Sequence, residues 1–285
     1  MTLSSSFLLS ITTFIYLAAA ILYLITWVFK VQKVGILATF VTTSGFLIQT
    51  AGIGLRWAES YKIGYGHVPL ANLYESLVFF SWLTILVYLV IEWRVKNRVI
   101  GAFSTPFATF AMAYASFNPD VHDEIQPLIP ALQSNWLIAH VITCFLGYSS
   151  FAVACGLGVM YLIKNKNTDE NTTGLMAMLP SKKVMDSLMH QTIVFGFLWL
   201  SIGIITGAIW ANEAWGTYWS WDPKETWSLI TWFIYAVALH ARFIKGWTGR
   251  KIAILSIIGF ISVIFTYFGV NFLLSGLHSY GSLKK

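Results

Sequence analysis

The chain alternates between long apolar runs and short polar segments. The apolar runs cover approximately residues 7–29, 35–55, 70–92, 99–117, 135–163, 190–211, 226–244 and 252–274. A helix needs about 20 apolar residues to cross a bilayer, whereas the strands of a membrane barrel are about half as long and alternate in polarity. The pattern therefore predicts an all-α, polytopic integral membrane protein with about eight transmembrane helices, in a single membrane domain over 1–285.

The polar segments between the runs differ in character. Residues 164–189 are polar and rich in Asn, Thr and Lys, which predicts a flexible inner loop. Residues 118–134 hold three prolines and several charged side chains, which predicts an irregular, solvated outer loop. Residues 56–76 fit an interfacial belt of Tyr and Trp, but Asn72 and Glu75 at the entrance to an apolar helix are not explained by such a belt.

Composition agrees with a membrane protein, because only 11% of the residues are charged, against about 25% in soluble domains. The net charge of +6 could indicate a nucleic-acid partner, but its distribution indicates topology instead. When the loops are assigned alternately to two sides, one side receives only Arg56, Lys62, Lys224, Lys284 and Lys285, and the other receives the remaining thirteen Lys and Arg. The positive-inside rule then places both termini and the loop after the sixth span outside, and no nucleic-acid partner is expected.

Two further features receive structural interpretations. The first apolar run is too long for a signal peptide and has neither a basic leader nor a small-residue cleavage site, so it is predicted to be a retained span. Cys144 and Cys155 do not have CxxC spacing, and both are predicted to be small packing residues in the fifth span.

One short segment, AWGTYWSWDPKETW at residues 214–227, holds four tryptophans inside a loop predicted over 210–227. Its second half carries a helix-start signature. Asp222 is followed by Pro223 at the first helical position and by Glu225 at the third. The seventh span is therefore predicted to begin here, and Asp222 has a structural role whether or not a ligand binds.

The tryptophans are not explained by that signature. Trp215 and Trp219 are four residues apart and would share a face if the segment were helical, with Trp221 beyond them. An interfacial belt explains scattered tryptophans, but this close spacing favours a flat indole shelf that binds a large, planar, apolar ligand.

Two histidines lie on the same predicted side as this loop. His140 is about one turn inside the outer end of the fifth span, and His278 follows the outer end of the eighth. Each alone would be interpreted as a satisfied or interfacial histidine, but together, beside an aromatic shelf, they suggest the axial ligands of a haem iron. His240 lies 18 residues after Asp222 in the same helix, about 27 Å deeper. It either packs with the basic cluster or serves a second, inner site. His190 lies at a comparable depth and is a candidate second ligand of that inner site.

These segments resemble a known family. WGTYWSWDPKETWSLITWFIYAVALH is similar to the WWD signature of the haem-handling proteins of cytochrome c biogenesis, which alone leaves open the system I proteins CcmC and CcmF. GHVPLANLYESLVFFSW, SNWLIAHV, GIITGAIWA and NFLLSGLHSYG are similar to the CcsA/ResC branch, the polytopic half of the system II cytochrome c synthase. The resemblance covers residues 50–285.

The resemblance implies a set of site residues. His140 and His278 would ligate the iron of haem b at the outer face, and His240 would ligate haem on its way across the membrane. The loop that would cradle the outer haem consists of Trp215, Gly216, Trp219, Trp221 and Asp222. The residues that would carry the attachment reaction are His140, His278, Trp215, Trp219, Trp221 and Asp222. In the family, the mate of the transmembrane histidine comes from a CcsB/ResB partner, which argues against His190.

The resemblance also implies an activity and partners. The family conducts haem across the membrane and attaches it covalently to the CxxCH motif of apocytochrome c. This chain has no evident nucleophile or acid–base pair for that step, so whether it is itself an enzyme is left open. A CcsB/ResB-type protein, whose large outer domain is expected to be a separate chain, would complete a holocytochrome c synthase. A thioredoxin-like thiol reductase and membrane lipid are further expected partners, and the membrane would be a bacterial cytoplasmic membrane or a thylakoid.

Two other functions compete with haem delivery. A membrane b-type cytochrome would also use histidines and haem, but it normally pairs histidines on facing helices at two depths, and only an outer pair is evident. A solute transporter has little support, because the sequence contains no internal repeat. The fate of the haem separates the first two functions, since a delivery protein passes it to a CxxCH polypeptide and an electron carrier keeps it.

Overall fold

The computed structural model describes residues 4–164, 174–274 and 276. Within these ranges every regular element is helical, and eight helices are long and apolar enough to cross a membrane. The α-helices are, in chain order, α1 Ser5–Phe29, α2 Gln32–Lys62, α3 Leu73–Val95, α4 Gly101–Phe117, α5 Asn135–Ile163, α6 Lys182–Trp215, α7 Pro223–Lys245, α8 Arg250–Ile264 and the short α9 Val270–Leu273. The predicted all-α fold with eight spans is confirmed.

The helix α6 is longer than its apolar run predicts. It begins at Lys182, where the Ser181 side chain caps the first turn, and its 34 residues end at Trp215. A helix of this length extends for about 51 Å, well beyond a hydrocarbon core of about 30 Å. Polar residues therefore continue the helix outside the apolar run. The inner loop predicted over 164–189 is wrong at its second half, which is helical, and residues 165–173 lie outside the described part of the chain.

Successive spans alternate in direction, so the bundle has two ends. We call one the cavity end; there α1, α3, α5 and α7 begin and α2, α4 and α6 finish. A contact between α1 and α2 supports this pairing, because the Ser5 amide donates to Glu59 Oε1 at 3.0 Å. The opposite end, the basic end, holds the helix ends and turns that carry most of the Lys and Arg. That the cavity end lies outside the cell or in a lumen stays a prediction from charge.

The helix α5 lies at the centre of the bundle. It packs against α3, α4, α6 and α8, and most of its side chains from Thr143 to Met160 are buried. Its closest neighbour is α6. A Cβ added to Gly147 would lie 3.0 Å from the Gly196 carbonyl oxygen, so a larger residue there would push the two backbones apart by a few tenths of an ångström. Lipid is as apolar as the side chains, and packing of small residues therefore contributes much of the association between such helices.

A buried ion pair stabilises the cavity end. Arg56 Nε donates to Glu75 Oε1 at 2.7 Å, and Arg56 Nη1 donates to the Asp123 carbonyl at 2.8 Å. The other oxygen of Glu75 accepts from the Ala71 amide at 2.8 Å, and the Asn72 side chain caps α3 by accepting from the Glu75 amide at 2.8 Å. These contacts explain the polar residues that an aromatic belt left unexplained, because they tie α2 and α3 to the outer loop.

A second ion pair stabilises the basic end. Arg242 near the end of α7 donates to both carboxylate oxygens of Asp186 on α6, at 3.0 and 2.8 Å. The Gly249 amide, just before α8, donates to the same carboxylate at 2.6 Å. One carboxylate thus joins three helices at this end.

Candidate functional site

A cavity of about 210 Å³ lies at the cavity end, between α3, α5, α6, α7 and the turn after α8. Its walls are mostly apolar, as ligand sites usually are. Polar side chains reach it from several helices. They are those of Asn72, Ser76, His140, Cys144, Tyr148, Trp210, Tyr218, Trp219, Lys224, Glu225, Ser228, Thr266 and Tyr267.

His140 forms part of the wall, in the second turn of α5. Its Nδ1 lies 2.7 Å from the Gly203 carbonyl oxygen on α6. A carbonyl oxygen only accepts hydrogen bonds, so Nδ1 carries a proton, and in the neutral ring Nε2 then carries the lone pair. Histidines that ligate metals usually make this contact through the other ring nitrogen, because it sets both tautomer and ring orientation. A Cβ added to Gly207 would lie 2.5 Å from His140 Nδ1, so the ring fits only because this position is glycine.

Two tryptophans of α6 support the imidazole. The indole of Trp210 is stacked on the His140 ring, with 6.0 Å between the centroids and 16° between the planes. Trp210 Nε1 donates to the Ala131 carbonyl at 2.8 Å, and Trp210 is almost fully buried. Trp215 packs against the edge of Trp210, with centroids 4.8 Å apart, and does not itself line the cavity. Trp210 therefore orients the imidazole, and Trp215 buttresses Trp210.

The tryptophan loop is shorter than predicted. The helix α6 continues to Trp215 and ends because Gly216 adopts a left-handed φ of 79°, where a residue without Cβ is favoured. The helix α7 begins at Pro223, so the irregular segment covers 216–222 and not 210–227. Trp215 and Trp219 consequently do not share a helical face, because the segment between them is not helical.

The loop tryptophans do not form a flat shelf. Trp219 lines the cavity, whereas Trp221 is 68% exposed and has a φ of 60°, a left-handed conformation that is rare for a bulky residue. Their indole planes meet at 88°, with the centroids 5.8 Å apart. The prediction of a flat indole shelf is therefore wrong, because the left-handed turn at Trp221 places its ring at a right angle to that of Trp219.

Asp222 caps α7 as predicted. Its Oδ1 accepts from the Lys224 amide at 2.9 Å, while Glu225 Oε2 accepts from the amides of Asp222 at 3.1 Å and Ser220 at 2.8 Å. The backbone at Gly276 passes so close to the Asp222 carboxylate that an added Cβ would collide with it. Asp222 is buried behind the cavity wall and does not line it. Its carboxylate thus joins the tryptophan loop to the segment after α9.

The other two predicted ligands are not in this cavity. His278 lies outside the described residues. His240 lies on α7 towards the basic end, where it is exposed. The exposed side chains of Phe233, Val237 and Ile244 lie on the same stripe of α7. His240 therefore faces away from the bundle, and the structure does not bring it together with His140.

Two further histidines have structural contacts. His67 is buried, and its ring nitrogens lie 2.9 Å from the Gln126 carbonyl oxygen and 3.0 Å from that of Val68. It also lines a second cleft of about 520 Å³ beside the cavity. His190 packs edge-on against Phe243, with the ring centroids 5.5 Å apart. His67 therefore holds the outer loop in place, and His190 contacts α7 near the basic end.

Comparison with known proteins places the chain in a family. Residues 70–278 match the family described as Cytochrome C assembly protein. The Cytochrome c biogenesis protein CcsA of Guillardia theta is 40% identical over 293 residues, covering 96% of this chain and 96% of that protein. The CcsA of Prochlorococcus marinus (strain MIT 9313) is 39% identical over 262 residues, and the match covers 82% of this chain and 81% of that protein. The chain belongs to the CcsA family.

Membership of the CcsA family gives this integral membrane protein a role in cytochrome c biogenesis. The fold is also similar to that of a solved structure, Cytochrome c Heme Lyase CcmF, with a TM-score of 0.71. The match covers 97% of this chain and 48% of the CcmF chain at 15% sequence identity, so it concerns the fold alone.

Several residues of the cavity in this CcsA-family chain were not found by sequence reasoning. Gly203 and Gly207 had a usable signal, because GxxxG spacing indicates close approach between membrane helices. Tyr267 had none. A turn of π-helix at Phe265–Gly269 interrupts the end of α8, and both Thr266 and Tyr267 line the cavity. Lys224 was used in the sequence only as a topology charge.

Proposed function

We propose that this chain conducts haem b across the membrane and presents it at the cavity end for covalent attachment to the CxxCH motif of apocytochrome c. It would act as the polytopic subunit of a holocytochrome c synthase, in a bacterial cytoplasmic or thylakoid membrane. Membership of the CcsA family supports a role in cytochrome c biogenesis. The observation that carries the proposal is His140, held by Gly203 and Trp210 with the lone pair of its ring on Nε2.

The cavity residues fit part of a haem. The imidazole is in the tautomer and orientation of a metal ligand, and apolar walls suit the porphyrin face. The cavity has a volume of about 210 Å³. Typical ligand sites are larger, at about 300–1,000 Å³. The site would therefore take one edge of the macrocycle, and the perpendicular indoles of Trp219 and Trp221 would contact the remainder.

His278 is proposed as the second axial ligand. Gly276 packs against Asp222, so the chain is beside the tryptophan loop at this position. His278 is two residues further along the chain, which supports the proposal. Asp222 and Gly216 would then hold the loop in place rather than touch iron, because one caps α7 and the other ends α6. Trp215 would act through Trp210.

His240 is proposed as a ligand of an inner haem site. Because it is exposed on the outward face of α7, a second ligand would have to come from another molecule. A membrane protein of the CcsB/ResB type is the proposed source. Histidines inside spans are usually functional, since an ionisable group facing lipid is costly.

The proposed reaction needs orientation more than acid–base chemistry. Each substrate thiol adds across a vinyl group of the haem; a carbon–sulfur bond forms, the thiol hydrogen ends on the neighbouring carbon, and no oxidant is consumed. The thiolate is the reactive form of the cysteine, and a thioredoxin-like reductase would keep the two substrate cysteines reduced. The chain would hold the iron through His140 and the ring through Trp219, so that the vinyl groups meet the incoming peptide.

The test is the absorption spectrum of the protein purified with its CcsB/ResB-type partner. Wild type should show a bis-histidine haem spectrum, and His140→Ala and His278→Ala should each weaken or alter it. His122→Ala is the matched control, because His122 is an exposed histidine of the outer loop. Unaltered spectra in both ligand variants would remove the outer site. Haem retained through many turnovers in the presence of a CxxCH peptide would favour a b-type cytochrome instead.

A further inference from the structure

Lys224 is the one Lys or Arg that lines the cavity within the described ranges. It is the second residue of α7 and is half-buried. It lies two residues after the capping residue Asp222 and lines the cavity together with Cys144. Cys144 Sγ in turn lies 3.6 Å from His140 Nδ1, so the cation and the imidazole face the same cavity from α7 and α5.

A lysine is not what the start of α7 requires. The amino-terminal end of a helix carries a partial positive charge, which favours acidic side chains there and disfavours cations. Asp222 and Glu225 already form the capping box, and the Glu225 carboxylate accepts the amides of Ser220 and Asp222. The capping box is therefore complete without the ammonium of Lys224.

We propose that Lys224 binds a carboxylate of the cavity's ligand, a propionate group of haem, and so makes the site selective for porphyrins with free carboxylates. This inference rests on the proposed function. A carboxylate that enters a largely apolar cavity needs a cation or several donors to replace its water. An ammonium offers a full charge and three donors.

The pairing also sets the rotation of the ring. The imidazole of His140 fixes the iron but leaves the macrocycle able to turn about the bond between iron and nitrogen. In haem b the two propionates lie on one side of the ring and the two vinyl groups on the other. A propionate held at Lys224 therefore directs the vinyl groups to the opposite side of the site. Lys224 is in this sense a positioning residue for the attachment reaction.

The experiment compares two ligands, iron protoporphyrin IX and its dimethyl ester, which lacks both carboxylate charges. Each is titrated into wild type, Lys224→Met and Lys224→Arg, purified with the partner protein, and the dissociation constant is read from the absorption change. Lys224→Met should weaken binding of the free acid about 10- to 100-fold, as expected for a hydrogen bond to a charged group. It should leave binding of the ester within about twofold of wild type. Lys224→Arg keeps the charge and should retain most of the preference for the free acid.

Lys62→Met is the matched control. Lys62 ends α2 at the same end of the bundle, is exposed and does not line the cavity, so its loss should change neither titration. Equal weakening of both ligands by Lys224→Met, or no weakening of either, overturns this inference while leaving the proposed function in place. A wild-type complex that binds neither porphyrin overturns the proposed function and this inference with it.

Discussion

His140 and His240 both lie inside membrane spans, yet their surroundings are opposite. His140 is held between α5 and α6, hydrogen-bonded to Gly203 and stacked on Trp210. His240 is exposed on the outward face of α7. A ring held in one tautomer and orientation is ready to ligate a metal, whereas an exposed ring becomes a ligand only when another molecule completes the site. We infer that this chain builds its part of the outer site alone and depends on a partner for the inner one.

The helices that carry the two histidines also differ in how closely they pack against their neighbours. The spans α5 and α6 pack closely along their length through glycines such as Gly147 and Gly196. The helix α7 contacts α6 and α8 on one side only, and its other side exposes Phe233 and Val237. Apolar side chains facing lipid need no further explanation, but a histidine among them does. Packing therefore separates a preorganised region from one that a partner can reach.

The largest expected effect comes from a variant that displaces His140 without removing it. In Gly207→Val the new side chain would occupy the space of the imidazole, because even a Cβ at this position lies 2.5 Å from Nδ1. Haem affinity at the cavity end should fall at least about 10-fold, as it does when the partners of a metal-ligating histidine are lost. The measurement is an absorption titration with haem.

Gly54→Val is the matched control for that variant. Gly54 is a helical glycine of α2, and a Cβ there meets nothing within 4 Å. Its haem affinity should equal that of wild type. An equal loss in both variants would mean that α-helical glycines matter here for backbone reasons and not for the position of His140.

A smaller effect is expected from removing the ring that supports His140. Trp210 is 2% exposed, and Trp210→Ala should lower the free energy of unfolding by about 3–5 kcal/mol, the usual cost of truncating a buried tryptophan. Trp221→Ala removes a ring that is 68% exposed and should change it by less than about 0.5 kcal/mol. Unfolding of both variants in detergent, followed by loss of helical signal, tests the difference. Equal costs would contradict the assignment of Trp210 as the buried support of the imidazole.

The smallest effect is expected at His240 in the absence of a partner. His240→Ala should leave the free energy of unfolding within about 0.5 kcal/mol of wild type, because the side chain is exposed. Haem titration at the cavity end should also be unchanged. In complex with the CcsB/ResB-type partner, the same variant should lower the haem bound per complex. Val237→Ala, one turn away on the same exposed stripe, should not, and a loss in the isolated chain would place the inner site within this chain alone.

Local features were predictable because they depend on neighbours in sequence. The eight spans follow from the length of the apolar runs. The start of α7 follows from Asp222, Pro223 and Glu225, whose capping box joins residues within three positions of one another. The end of α6 was missed because a helix was assumed to stop with its apolar run. Gly216, with its left-handed φ, marked the true end.

Features of the site that join distant segments were not predictable in the same way. The sequence selected the WWD segment and His140 as candidates, but not which side chains of the segment line the cavity. Trp219 lines the cavity, Trp215 packs behind Trp210, and Trp221 is exposed at a right angle to Trp219. Tyr267 lines the cavity because of a π-helical turn, and no pattern in the sequence predicted that turn.

The sequence by itself determined the membrane class, the number of spans, the start of α7 and the family motifs, because hydrophobic length and capping act over a few residues. Only the tertiary structure decided which nitrogen of His140 carries its proton, since the acceptor, Gly203, is 63 residues away on another helix. It also decided that His240 is exposed and that Lys224 lines the cavity. These outcomes depend on how helices rotate and pack against one another, and the small residues that permit this packing act across the whole chain.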